Sequence, residues 1–260
     1  MPAFDPKAAA RFIADAHRQR AVYQNLPPEI APSTVDEAYA AQEALRELWR
    51  PLYGELAGLK IATTTKVMQQ LMGIDHPCGG MIYERRVHGS PASIRLGDYM
   101  HVVIECELAV RMARALPKKA APYTREDVRA AVSVVMPAFE LIEDRKAVYR
   151  ESKALSLIAD NAWNAGIVLG APVTVAADKS LDGIKGKLAI NGKDAREGLT
   201  DDPMGALAWL ANLAADRNRP LQAGMVVITG SLIPTLPIAA GERFVFEIEG
   251  IGKAELSASA

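Results

Sequence analysis

The chain has 260 residues, half of them apolar, with 30 Lys and Arg against 31 Asp and Glu and a formal net charge of −1. That balance excludes the basic field needed to hold nucleic acid or an anionic membrane, and the length suits a small segment leading into one larger domain. Cys78 and Cys106 form neither a disulfide framework nor a CxxC metal or redox motif, no apolar run nears the roughly 18–20 residues of a membrane span, and the start MPAFDPKAAARF carries no signal pattern, so a soluble, unprocessed cytoplasmic protein is expected.

Residues 1–56 read as a helical N-terminal segment and 57–260 as a second, larger unit. In the first, Asp5 and Pro6 open a helix carrying Phe12, Ile13 and His17, and Thr34 with Glu37 has capping-box spacing ahead of a helix that Pro51 should close. Next come the strand LKIATT, the helix TKVMQQLMG ending on Gly73, the strand PASIRL and the long strand VVIECELAVRMAR. Thr124 and Asp127 mark a helix start before VRAAVSVVM, and Asp202 with Pro203 begins the helix MGALAWLANLAADR. PVTVAA, KLAING, GMVVITG, GERFVFEIEG and GKAELS read as strands and turns, while KSLDGIKGK and LPKKAAPYTR read as surface loops. Strands that outnumber helices without regular βα alternation predict an α+β fold with a mixed, rolled or sandwiched, largely antiparallel sheet.

Side chains alternate across a strand, so Val102, Ile104, Cys106, Leu108, Val110 and Met112 share an apolar face, and Glu105 and Glu107 share the other. Two carboxylates with Cα atoms roughly 6.5–7 Å apart need a cation between them. Two readings are open: cross-strand pairing with Lys or Arg on a solvated face, or a metal site. Glu140, in the apolar run MPAFELIEDR, offers a third carboxylate and makes a hard, oxygen-ligated ion such as Mg²⁺ or Mn²⁺ reasonable. Zinc is disfavoured because His17, His76, His88 and His101 form no ligand motif, and Ser231 lies in no GxSxG elbow.

The succession LKIATTTKVMQQLMGIDHP, IECELAV, MPAFELIEDR, IADNAWNAGIVLG and ITGSLIPTLPIAAGERF resembles the 2-keto-4-pentenoate hydratase / 4-oxalocrotonate decarboxylase group of the fumarylacetoacetase-like superfamily, from about Gly58 to the C-terminus. The resemblance implies a mixed β-roll catalytic domain, a homo-oligomer, and Glu105, Glu107 and Glu140 as ligands of Mg²⁺ or Mn²⁺. It also implies Lys60 as an active-site lysine, Thr64 and Thr65 in the substrate pocket, and Asp160 and Asn161 in the matching A-D-N segment, with Asp160 orienting water or substrate. Two departures stand out among the residues expected at the substrate: Cys78 replaces an acidic residue near the active site, and Trp163 stands where the group carries a small one and should reshape the pocket.

The expected activity is a metal-dependent hydratase adding water to 2-hydroxypenta-2,4-dienoate-like acids, with Lys60 passing protons and its pKa lowered by burial beside a cation. The alternatives are a 4-oxalocrotonate-type decarboxylase, an acylpyruvate C–C hydrolase using His17 or His76 as base, and a non-catalytic 2-oxo acid binding homologue.

Overall fold

A computed structural model describes residues 3–176 and 178–260. Helix α1 (Pro6–Arg18) begins at Asp5, whose carboxylate accepts from the Lys7 amide, and α2 (Val35–Tyr53) at Thr34, whose hydroxyl accepts from the Glu37 amide. Pro51 does not close α2. It sits in the last turn, where it removes a single helical N–H, and Gly54 (φ 84°) ends the helix.

Strand β1 (Leu56–Ala62), helix α3 (Lys66–Met72), β2 (Cys78–Tyr83), β3 (Val87–Gly89), β4 (Ala92–Arg95) and β5 (Val102–Met112) come next. Helix α4 is confined to Arg125–Arg129, and the segment expected to prolong it is instead the start of β6 (Val132–Glu143). The β-branched Val132, Val134 and Val135 favour an extended chain once β5 offers a partner, so tertiary pairing overrides the helical start. Then come α5 (Ala154–Ala159), β7 (Asn164–Leu169), β8 (Lys185–Ile190), β9 (Lys193–Leu199), α6 (Pro203–Asp216), β10 (Val226–Pro237), β11 (Arg243–Ile248) and β12 (Gly252–Ser259). The expected strand PVTVAA contributes only the bridge from Val173 to Val135, and its Ala177 lies outside the described residues.

Seven strands form one mixed sheet in the order β2-β1-β10-β5-β6-β7-β3, and five form a second in the order β4-β12-β11-β8-β9. Ile104, Cys106, Leu108 and Val110 of β5 are fully buried in a core shared with Phe244, Phe246 and Ile248 of β11, so the smaller sheet covers the apolar face of β5. The opposite face is left for the carboxylates. Ile13 of α1 and Leu45 and Trp49 of α2 pack against Met81, Tyr83 and Ala159, joining the helical preface to β2 and α5. Among the described residues no helix is long and apolar enough to cross a membrane.

Candidate metal centre and its cavity

In the antiparallel pair β5–β6, Glu105 stands directly opposite Glu140 and Glu107 opposite Ala138. Register therefore brings the three acids to one spot, with one carboxylate oxygen from each within 4.8 Å of the others. Glu107 and Glu140 are fully buried, and Glu105 is partly exposed. Glu107 Oε2 accepts from the Gly230 amide at 2.7 Å, Glu140 Oε1 from Asn164 Nδ2 at 2.8 Å, and Glu105 Oε1 from the Thr235 hydroxyl at 2.5 Å. Glu107 Oε1 and Glu140 Oε2 have no partner. Buried carboxylate oxygens without donors are costly, and among the described residues no arginine pairs with any of the three acids. Two orphaned oxygens plus the Glu105 carboxylate make a donor set of the kind a hard divalent cation takes.

The cation that is present is Lys60, 2 % exposed, with Nζ 3.0 Å from Glu140 Oε1 and 3.3 Å from the Ala162 carbonyl. It reaches this position because Gly80 faces it across β1–β2: a Cβ there would lie 2.9 Å from both Lys60 Cγ and the Asn161 carbonyl. Burial lowers the pKa of Lys60, but Glu140, Glu105 and Glu107 outweigh it, so Lys60 titrates above its ordinary value. The depressed value expected from the sequence is that of a lysine beside a bound cation; the three acids by themselves act in the opposite direction. Burial, against the pull of Lys60 and with Glu105 adding repulsion, pushes Glu140 up to about 7; burial and both neighbouring acids push Glu107 well above the carboxylate range. One ammonium is insufficient for three acids.

Lys60 and Glu105 open onto a cavity of about 460 Å³. Its walls are Thr64, Thr65 and Thr235 on one side and Met68, Met72, Ile142, Leu157 and Trp163 on the other. Thr64 and Thr65 both line this cavity, and Thr65 also caps α3 by accepting from the Met68 amide. Two other expected residues do not reach the cavity. Cys78 is fully buried among Ala38, Tyr39 and Ile158. Asp160 is held by Arg145 Nη2 and, at 2.7 Å, by His17 Nε2, and it borders a different cavity against α1. His76 Nδ1 faces the Pro77 carbonyl, so among the described residues no histidine lines the Lys60 cavity.

The chain between α5 and β7 makes an unusual turn: Asn161, Ala162 and Trp163 all have positive φ (53°, 46° and 58°). Each such residue costs about 1–2 kcal/mol, so the turn needs external support. Asn161 supplies part of it, donating to the Met81 carbonyl at 2.9 Å and accepting from the Met81 amide at 2.7 Å, which occupies its amide away from any substrate. Trp163 supplies another part through edge contacts with Tyr23 and Tyr149. Asn164, Gly230 and Thr235, which secure the three acids, were missed from the sequence. The first two stand inside DNAWNAG and ITGS, where an Asn and a Gly beside candidate motifs were a usable signal.

The fumarylacetoacetate hydrolase C-terminal family model matches residues 74–257. The chain is 30% identical over 252 residues to 2-keto-4-pentenoate hydratase 2 of Dechloromonas aromatica, covering 95% of each chain. It is 32% identical to 2-hydroxyhexa-2,4-dienoate hydratase of Comamonas testosteroni, covering 84% of each. Among solved structures, 4-oxalocrotonate decarboxylase from Pseudomonas putida G7, complexed with magnesium and adipate, superposes with a TM-score of 0.88 at 23% identity, over 97% of each chain. An acidic triad on a curled mixed sheet, a buried lysine beside it and these relatives agree: the chain belongs to the fumarylacetoacetate hydrolase C-terminal family and, within it, to the 2-keto-4-pentenoate hydratase / 4-oxalocrotonate decarboxylase group.

Proposed function

We propose that the protein is a lyase that decarboxylates a conjugated 2-oxo dicarboxylic acid, with Glu105, Glu107 and Glu140 as the residues that would hold Mg²⁺ or Mn²⁺. When bound, such an ion would supply Lewis-acid stabilisation of the enolate of a 2-oxo acid. The chain's own residues do the rest. Thr64 and Thr65 offer hydroxyls to the substrate. Lys60 Nζ, fixed between Glu140 Oε1 and the Ala162 carbonyl, holds a proton beside the three acids, where it serves the enolate.

The observation that carries the choice of reaction is the lining of the cavity: Lys60 and Glu105 are its ionisable groups, apart from Tyr149, whose hydroxyl donates to Asp144 at 3.0 Å. Water addition calls for a base to activate water as well as an acid to protonate carbon. Decarboxylation calls for one proton donor alone. The apolar wall of Met68, Met72, Ile142, Leu157 and Trp163 favours it further, since a carboxylate pressed there loses hydration that neutral CO₂ never needs. The bond to the departing carboxyl breaks, CO₂ leaves, the electron pair enters the conjugated enolate, and the proton held by Lys60 passes to the enolate oxygen, so the product leaves as a 2-hydroxydienoate. Asp160 acts outside the cavity, through the turn that begins just after it.

A second reading, hydration of a 2-hydroxydienoate, is supported by the hydratase names of relatives at 30–32% identity. Incubation with Mg²⁺ and each substrate separates the two. CO₂ release from 4-oxalocrotonate with no consumption of 2-hydroxypenta-2,4-dienoate is expected; hydration without CO₂ would reverse the order. Neither activity, together with oxalate binding, would leave the non-catalytic homologue.

A further inference from the structure

His17 lies on α1, far along the chain from Lys60 and the three acids, and it sits half-buried behind the left-handed turn, outside the cavity. Its Nε2 is 2.7 Å from Asp160 Oδ1, its Nδ1 is 3.9 Å from Glu143 Oε2, and its ring stands edge-on to Trp49 of α2. Arg145 Nη2 holds the second oxygen of Asp160, and the Arg145 carbonyl accepts from the Tyr23 amide at 2.9 Å, so the chain leaving α1 is tied to the same network. Asp160 is the last residue before the three positive-φ residues. Residues 162 and 164, just beyond it, both reach the candidate centre: the Ala162 carbonyl accepts from Lys60 Nζ, and Asn164 Nδ2 donates to Glu140 Oε1.

We propose that His17 is a positioning residue: together with Arg145 it grips Asp160 from outside the cavity and so holds the strained turn that aims the Ala162 carbonyl at Lys60 and Asn164 at Glu140. The inference rests on the reading of Lys60 as the proton carrier. A turn with three residues in a sparsely populated backbone region persists only where its surroundings over-determine it, and the two ends of that support are the Asn161–Met81 bonds inside and the His17–Asp160–Arg145 ion network outside. The groups facing His17 are Asp160, Glu143 and Arg145. Burial alone would discharge the imidazole, but Asp160 and Glu143 prevail over it and over Arg145, so its pKa is raised and the grip is tightest when the ring is charged.

The test compares the wild type with His17→Phe, His17→Gln and, as a control on the exposed side of α1, Arg18→Ala. The assay is deuterium incorporation at C3 of 2-oxopentanoate with Mg²⁺ in D₂O: a proton leaves C3 as the enolate forms and a deuteron returns to the same carbon, through an enolate of the kind that both decarboxylase and hydratase readings use. Amide exchange of residues 159–166, read by mass spectrometry, is followed in parallel. His17→Phe is expected to lose amide protection in that segment and to slow C3 exchange at least about tenfold at unchanged KM, as small misplacements of a proton carrier do. In His17→Gln, which keeps a hydrogen bond to Asp160 but cannot be charged, the fall of the wild-type rate toward alkaline pH should disappear, while Arg18→Ala matches the wild type. Unchanged amide protection in both His17 variants overturns the proposal, as does lost protection with an unaltered rate and pH profile. If the wild type itself shows no C3 exchange, the reading of Lys60 as proton carrier fails, and the amide protection still decides whether His17 holds the turn.

Discussion

Glu107→Gln is the substitution with the most opposed consequences. Glu107 is fully buried, has one oxygen on the Gly230 amide and one without a protein partner, and has two further carboxylates within 4.8 Å. At that distance each like-charge pair repels by about 3 kcal/mol for an effective dielectric constant of about 20. Lys60 offsets one pair, leaving about 3 kcal/mol uncancelled, met either as strain or as a bound proton. Gln removes the charge and can still accept from Gly230, but its amide nitrogen inherits the unpartnered position at a cost of about 1 kcal/mol. The variant should therefore be more stable than the wild type in chelator by about 2 kcal/mol, roughly 4–8 °C in Tm for a chain of this size. Adding Mg²⁺ or Mn²⁺ reverses the order: at a hundredfold excess over Kd the wild type gains about 3 kcal/mol, and the variant, short of a ligand, gains little. Urea denaturation at mildly alkaline pH, with chelator and with metal, reads both effects. A Glu107→Gln protein less stable than the wild type in chelator would show that the carboxylate serves the fold, and the metal-centre argument would fall with it.

Lys60→Met should lower turnover by about 10³ through loss of the proton carrier while the three metal ligands remain, checked by steady-state rates beside calorimetric Mn²⁺ binding. Because it strips Glu140 of its cation, the same change should destabilise the metal-free protein by about 3 kcal/mol, read by urea denaturation. Asn161→Ala loses both bonds to the Met81 backbone and puts Ala at φ 53°, for an expected loss of about 3 kcal/mol in the same measurement. For His17 the folded-state pKa is raised, so its stabilising contribution is complete below its unfolded value of about 6.5 and is lost as pH rises through the folded value. The difference in stability between wild type and His17→Gln should shrink as pH rises from the unfolded value through the folded one; a difference that grows would refute the sign.

Much of the centre was legible in the sequence because a strand has only two faces. Alternation alone put Glu105 and Glu107 on one side of β5, the apolar run around Glu140 offered the third acid, and the resemblance supplied Lys60; the structure brings all four to the same place. The helix starts at Asp5, Thr34, Thr65, Thr124 and Asp202 were readable because capping is local chemistry. Long-range partners were not. Asp160 reads as a free acid until a histidine 143 residues away closes on it, and no spacing rule links the two. Cys78 stands at a position expected near the substrate, yet β2 turns it toward α2 and α5. The sign of the Lys60 shift likewise depended on how many acids surround it, which only the fold fixes. The strand at Val132 replaced an expected helix because pairing with β5 decided between two local tendencies that were nearly matched.

The two-faced character of β5 also limits how the gene can drift. One codon gained or lost between Val102 and Glu107 would swap inside for outside, driving the acids into hydrocarbon and Ile104 and Cys106 toward the solvent-filled cleft, whereas two would merely slide the ligands along. Length changes in descendants of this chain are thus expected to collect in hairpin tips and to spare this segment, or to enter it only in even steps.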